Sequence, residues 1–239
     1  MERVKSGVEG LDSIIEGGIP KNSITLVSGP PGSGKSIFCF QFIYTGVQNG
    51  EKCLFLTLDK KVEGLLTLAK ELEFDFQPFI EKKFIKFLYL DLNKKFVYEV
   101  ITNEVLSGDY DRVVLDSITP LAEMPIVTTR PELVSDASLI DEEDFSKRDT
   151  ISIKRFHIRF VMTALETAKC TAVVTSELPL NSPHLSRDSI SEFLADAVIL
   201  LNFDPSMDRR KLTVMKMRGT KHTLKPHDIE IGKDGIKFR

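Results

Sequence analysis

The sequence predicts an α/β fold, a mainly parallel sheet between helices that ends in an antiparallel C-terminal extension. Three observations carry this expectation. Apolar runs of strand length alternate with stretches of helical spacing from Ile24 to Ser176; strands separated by helices pair in parallel and need cover on both faces. A glycine-rich turn, Gly29 to Ser36, joins the first of these strands to the first helix. Beyond Ala197 the helices stop, and strand-like runs follow one another across short turns.

The elements read as follows. Ile24 to Ser28 is a strand, and Lys35 to Asn49 a helix that Asn49-Gly50 stops. Cys53 to Leu58 is the second strand. Val62, Leu65, Leu66, Ala69 and Leu72 fall on one helical face. Phe84 to Leu90 is the third strand, Phe96 to Leu106 a helix, and Arg112 to Asp116 the fourth strand. Ile153, Phe156, Phe160, Ala164 and Ala168 line a long helix, and Thr171 to Ser176 is the fifth strand. The C-terminal extension comprises Ala197 to Phe203, Lys211 to Arg218, Asp228 to Ile231 and Gly235 to Phe238. Its turns carry Asp204-Pro205, Gly219 and Asp234-Gly235. Without internal repeat or linker, residues 1–239 read as a single domain.

Hydrophobic residues make up 42% and charged residues 28% of the 239, values that exclude wholesale disorder and fibrous chains. A net charge of −3 excludes a chain-wide basic field of the kind that binds nucleic acid in bulk. Cys39, Cys53 and Cys170 form no Cys-x-x-Cys pair, so a disulfide framework or cysteine zinc site is not expected, and all three read as buried small hydrophobes. No signal peptide or membrane-length apolar run is visible, so the expected setting is cytoplasmic, with no membrane contact. Phe (16 residues) must supply the aromatic packing, since Trp is absent. Charge is unevenly placed. Residues 127–150 hold seven acids against three bases and read as a mobile acidic insertion; residues 204–227 hold seven bases against two acids.

The most informative segment is Gly29-Pro-Pro-Gly32-Ser33-Gly34-Lys35-Ser36, between a strand and a helix. A triphosphate tail needs many donors at short range, and glycine lets the backbone approach it closely. Pro30 and Pro31 carry no N–H, so the donors are expected from Gly32 to Ile37, with Lys35 on the β and γ phosphates, Ser36 on Mg2+ and the helix dipole behind them. Arg112-Val-Val-Leu-Asp116 supplies the partner acid: a buried strand ends in a carboxylate at the edge of the sheet where ligands bind, so Asp116 is a second metal-side residue. The GTP-selective Asn-Lys-x-Asp pattern is absent, which favours ATP (and ADP) as ligand.

Beyond these motifs, Val8-Glu-Gly-Leu11-Asp12 and Gly17-Gly18-Ile-Pro20 ahead of the phosphate loop resemble the opening of RecA-superfamily P-loop ATPases. Ser189 to Leu201, with Phe193 and Asp196, and Lys216-Met-Arg218-Gly219-Thr-Lys-His222 are similar to the KaiC-like branch, mostly archaeal and bacterial. The resemblance spans nearly the whole chain and is weakest across 127–150. It implies a RecA-like core in which the strand from Thr171 lies between the Asp116 strand and the phosphate-loop strand, with the strand from Cys53 beyond Asp116. It also implies a homo-oligomer, a hexamer being one ring size that fits, with ATP at the subunit interfaces. Lys216 and Arg218 would then face the γ-phosphate bound by a neighbouring subunit, with His222 and Asp234 near that neighbour's nucleotide. A cation supplied in trans stabilises transferring phosphoryl charge; on the residues alone, Lys216 and Arg218 read as an exposed strand face.

One departure bears on chemistry. The family's usual water-activating element is a pair of acids after the second strand, and here Asp59-Lys60 stands in its place. Asp is one methylene shorter than Glu, and Lys60 exchanges an anion for a cation, so Asp59 is the expected base of a weak hydrolase. Ser176-Glu177 either senses phosphate and orients water or is a strand-end turn. The loop from Leu178 to Ser191 has one Arg and no stacking aromatic, so DNA binding is not indicated. His184 reads as a solvated loop residue and His157 as surface or partly packed. Three readings result: a slow Mg2+-dependent ATPase, a non-hydrolysing ATP-binding assembly or signalling module with an unidentified protein partner, and a recombinase-like binder of single-stranded DNA that uses the bases between Arg209 and Lys225.

Overall fold

The computed structural model describes residues 1–93, 97–123 and 147–239, with the backbone alone over 147–155. The acidic insertion expected over 127–150 lies outside the described residues, apart from the first turn of the helix that follows it.

In chain order the elements are β1 (Arg3–Val4), α1 (Leu11–Ile14), β2 (Ile19–Pro20), β3 (Ile24–Gly29), α2 (Lys35–Gln48), β4 (Cys53–Thr57), α3 (Val62–Glu71), α4 (Gln77–Glu81), β5 (Ile85–Tyr89), α5 (Val97–Ser107), β6 (Arg112–Asp116), a 3-10 turn (Thr119–Ala122), α6 (Lys147–Thr167), β7 (Thr171–Glu177), α7 (Ser191–Leu194), β8 (Ala197–Asp204), β9 (Arg209–Met217), β10 (His227–Gly232) and β11 (Gly235–Phe238). Nine strands form one sheet in the order β11-β10-β9-β8-β3-β7-β6-β4-β5. The order around β3, β7, β6 and β4 is the one that the resemblance implies.

The parallel region is wider than the sequence predicts. β8 pairs in parallel with β3 (Thr25 opposite Ala197, Ser28 opposite Leu200), and only at β9 does the direction reverse. Ala197 to Phe203 therefore belongs to the parallel core. Its approach through the loop after β7 and α7, rather than through a tight turn, allows this. The short helix α4 is also absent from the sequence reading. Pro78 lies in its first turn and the Asp75 carboxylate accepts the Gln77 N–H at 3.1 Å, signals too local to separate from a loop.

The sheet is buried on both faces, as its strand composition requires. On β4, Cys53 and Phe55 face a core shared with α2, where Phe38, Phe40, Phe42, Phe74 and Phe76 pack; Leu54 and Leu56 face the opposite core with Ile101, Ile158, Val161 and Leu165. Phe rings do the work of the missing Trp: Phe40 stands 5.8 Å from Phe55 and 6.2 Å from Phe76. The three cysteines are free and buried. His157, read as surface or partly packed, is more deeply buried than that: it is 1% exposed, 4.6 Å from the Tyr98 ring, and burial holds its imidazole below the ordinary histidine value.

Arg112, at the start of β6, is 1% exposed and fixes the N-terminal segment to the core. Its guanidinium pairs with Glu51, donates to the carbonyls of Lys5 and Phe42 at 2.8 Å each, and lies over the Phe42 ring. A buried charge is costly unless paired, and the loss of one partner strands the other. Glu51→Gln is expected to lower unfolding stability by about 2–3 kcal/mol, since Glu51 is partly solvated. Urea titration checks this; an unchanged midpoint would show that the carbonyls alone carry the cation.

Candidate nucleotide site

The phosphate loop begins where β3 ends. Gly29 O accepts the Leu178 N–H at 3.0 Å, which ties the loop to the end of β7. Gly32 (φ +81°) has no atom within 4 Å of where a Cβ would stand, and Gly34 (φ +105°) lies at the start of α2. Both need the left-handed region that glycine tolerates, and Gly32 leaves open space above the loop. The first hydrogen bond back from the helix runs from Phe38 N to Gly34 O at 2.9 Å, so the amides of Lys35, Ser36 and Ile37 precede the helical ladder and are the ones a helix leaves free.

Lys35 is 8% exposed, and its ammonium donates to the carbonyls of Gly29 (2.9 Å) and Pro30 (3.1 Å). Burial pulls its pKa below the ordinary lysine value, against the opposing pull of Glu177 and Asp116. Ser36 Oγ donates to Asp116 Oδ2 at 2.7 Å, across the gap between α2 and β6. Thr175 Oγ1, on β7, donates to Asp116 Oδ1 at 2.5 Å. Lys35, Ser36 and Asp116 line a cleft of about 310 Å³ with Pro31, Gly32, Gly34, Ile37, Thr57, Asp59, Lys60, Leu65 and Glu177, and Thr175 lies behind its wall.

Asp59 and Lys60 follow β4 at the mouth of the cleft. Asp59 Oδ2 accepts from Ser117 Oγ at 3.2 Å. Burial, reinforced by Asp116 and Glu177, holds the Asp59 carboxyl above the ordinary aspartate value. Thr57 Oγ1 fixes the turn, donating to Lys60 O at 3.1 Å and accepting from Lys60 N at 3.3 Å. Glu177 N donates to Thr119 Oγ1 at 2.9 Å, so the β7 end is anchored beside the 3-10 turn.

The remaining candidates are elsewhere. Lys216 and Arg218 flank the start of β3, not its phosphate-loop end: Met217 pairs with Ala197, and Ala197 with Thr25. At about 3.3 Å per residue this is about 13 Å along the sheet from Gly29. Lys216 Nζ donates to the carbonyls of Ala195 (2.6 Å) and Glu192 (3.0 Å) at the end of α7, and Arg218 pairs with Asp196 at 3.1 Å. Burial, and then Arg218, lower the Lys216 pKa. His222 lies in the β9–β10 connection, its Nδ1 3.1 Å from Thr220 O. Asp234 occupies the β10–β11 turn, whose flanking Ile231 and Ile236 lie against Gly34 of the same chain. The resemblance assigns Asp234 to a neighbour's nucleotide; the hairpin that carries it walls this chain's own phosphate loop. The sequence reading missed Thr175. The one available signal was a hydroxyl in an otherwise apolar buried strand next to the Asp116 strand.

The residues fit a Mg-nucleotide. Ser33 Oγ is buried beneath the loop without a protein partner, Gly32 opens the approach, and Ser36 with Asp116 forms a hydroxyl-carboxylate pair of hard oxygens. Among the described residues no group of three His, Cys, Asp or Glu side chains could hold a metal by itself. That donor set suits Mg2+, which keeps waters and shares its ligands with substrate phosphates.

A family model described as "ATPase: KaiC" matches residues 4–239. A UPF0273 protein of Methanocaldococcus jannaschii is 31% identical over 242 residues, which cover 99% of this chain and 96% of that one. The circadian clock oscillator protein KaiC of Prochlorococcus marinus is 27% identical over 242 residues, 99% of this chain but 45% of that longer protein. The solved structure of a KaiC-like protein from Pyrococcus horikoshii superposes with a TM-score of 0.79 at 30% identity, covering 100% of this chain and 99% of its own.

Lys35→Ala removes the cation of the phosphate loop and leaves Lys60 as the other cation on the cleft lining. ATP binding by calorimetry is expected to disappear while the thermal melt stays cooperative. Retained affinity would contradict the assignment of the loop.

Proposed function

The chain belongs to the KaiC ATPase family, with a RecA-like α/β fold, and on that premise we propose that it is a slow, Mg2+-dependent ATPase working as a homo-oligomer whose neighbouring subunits complete each other's sites. The observation that carries this reading is the contact of Ser36 with Asp116 at the phosphate loop, combined with the distance of Lys216 and Arg218 from it.

Gly32 to Ile37 would hold the phosphates through backbone amides, and Lys35 would turn from its carbonyls to the β and γ phosphates. Ser36 and Asp116 would hold Mg2+, which supplies charge neutralisation of the phosphates. Asp59 would accept the proton of an attacking water. Its raised pKa suits a base better than that of a free aspartate, and Ser117 orients it. Lys60 beside it lacks the second carboxylate, which supports slow turnover. Lys216 and Arg218 of one copy, with His222, would meet the nucleotide of the next; Asp234 is better suited to the chain's own nucleotide, since its hairpin packs on Gly34. The cleft is lined by Asp59, Asp116 and Glu177 against Lys35 and Lys60, so its net charge is complementary to a cationic neighbour.

Lys60 also supports a second reading, in which ATP acts as an assembly switch without turnover. The DNA reading would draw on the bases between Arg209 and Lys225; of these, Lys216 and Arg218 are engaged by the carbonyls of Glu192 and Ala195 and by Asp196, and among the described residues the loop after β7 adds Arg187 alone as a cation.

Asp59→Ala is expected to reduce turnover by about a hundredfold or more with ATP affinity retained. Since a base works ionised and the Asp59 carboxyl lies above the ordinary aspartate value, turnover is expected to fall on acidification earlier than for a free aspartate. A pH–rate profile on wild type and variant checks both. Brisk turnover that survives Asp59→Ala would remove Asp59 as the base, and brisk turnover in the wild type would remove the claim of slowness. Light scattering is expected to show a larger species with Mg-ATP than without nucleotide.

A further inference from the structure

Asp116 is held at both oxygens by hydroxyls from two other elements. Ser36 Oγ donates to Oδ2 at 2.7 Å and Thr175 Oγ1 to Oδ1 at 2.5 Å. The two contacts are not equivalent. Ser36 stands at the helix N-terminus, half-buried on the cleft wall, and is itself a metal-side residue. Thr175 is fully buried within β7, outside the residues that line the cleft. Its β-branched side chain has a restricted χ1, and the pairing of β6 with β7 runs alongside through Leu115 and Val174. Its hydroxyl is therefore fixed by the sheet and not by the ligand.

We propose that Thr175 is a positioning residue that sets the metal preference of the nucleotide site by withholding one oxygen of Asp116. Each carboxylate oxygen keeps a second lone pair, so the contact acts by orientation: Thr175 holds Oδ1 toward the buried strand side and leaves Oδ2, the oxygen on Ser36, toward the cleft. One-oxygen ligation suits Mg2+, which takes six ligands at short distance and keeps its waters. Ca2+ takes six to eight and readily accepts a carboxylate through both oxygens. Thr175 thus acts through Asp116, and it favours Mg2+ by holding the second oxygen away from the cleft. This inference rests on the reading of Asp116 as a metal-side residue.

The experiment is calorimetric ATP binding in Mg2+, in Ca2+ and in EDTA, on wild type, Thr175→Val and Thr175→Ser. In wild type, Mg2+ is expected to strengthen ATP binding more than Ca2+ does. Thr175→Val keeps shape and strand propensity but removes the donor. It should weaken binding with Mg2+ by about tenfold, the usual scale for loss of an outer partner of a metal ligand. Binding with Ca2+ should be unchanged or tighter, and binding in EDTA unchanged. Thr175→Ser should restore the preference for Mg2+. Equal effects of Val on the Mg2+ and Ca2+ affinities, or a parallel loss in EDTA, would overturn the proposal by giving Thr175 a merely structural role. Wild-type affinity that ignores both metals would instead remove the metal-side reading of Asp116. If Thr175→Val does not fold, the wild type still decides: equal strengthening by Ca2+ and Mg2+ would overturn the proposal.

Discussion

Asp116 joins three elements that are remote in sequence, and the cleft is organised around that junction. β6 delivers the carboxylate, α2 sends Ser36 to one oxygen, and β7 sends Thr175 to the other. The arrangement exists because the strand order puts β7 between β3 and β6, so the end of the phosphate-loop strand, the acid and the β7 terminus fall on one edge of the sheet. A buried carboxylate is stabilised by each hydrogen bond that it accepts. The phosphate loop, the Asp59 turn and the β7 end therefore depend on the same registration of strands.

The distribution of charge follows from the same sheet. Its phosphate-loop edge gathers Asp59, Asp116 and Glu177 around Lys35, and the opposite end of β3 carries Lys216 and Arg218. Within one chain those two cations serve local ends: Lys216 satisfies carbonyls at the end of α7, and Arg218 pairs with Asp196. Asp196 also accepts the Ile24 N–H at 3.0 Å, so the pair is tied to the start of the phosphate-loop strand. The near-neutral net charge of −3 thus conceals local contrasts: Asp59, Asp116 and Glu177 stand with Lys35 and Lys60 in the cleft, Lys216 and Arg218 lie at the far end of β8 and β9, and Arg209, Arg210 and Lys211 lie at the phosphate-loop end of those strands.

Much of this was legible in the sequence, for identifiable reasons. The phosphate loop has a composition that few other structures require, and Asp116 ends a strand whose apolar residues announce its burial. The strand and helix on either side of Asp59 were visible as an apolar run and a helical spacing, and the family resemblance singled out Asp59 between them. What could not be read depends on pairing. Nothing local distinguishes a parallel β8 from an antiparallel one, because the difference lies in the path of the loop before it. Thr175 looks like any β-branched strand residue until β6 is laid beside it. His157 lies between basic residues and so reads as surface or partly packed, yet the rotation of α6 turns it fully into the core. The hairpin that carries Asp234 packs on Gly34, a contact between residues 34 and 231 that no spacing rule anticipates.

The central claim, a Mg-ATP site completed by the cations of a second copy, is tested most directly by mixing two inactive variants. Lys35→Ala removes the phosphate loop's cation and Arg218→Ala removes the cation supplied to a neighbour. ATP turnover should be lost in each alone and partly recovered when the two are mixed under conditions that allow subunit exchange, because a mixed assembly contains interfaces with an intact loop on one side and an intact Arg218 on the other. Turnover that is unaffected by Arg218→Ala, or that stays absent from an assembly shown to contain both variants, would contradict the account.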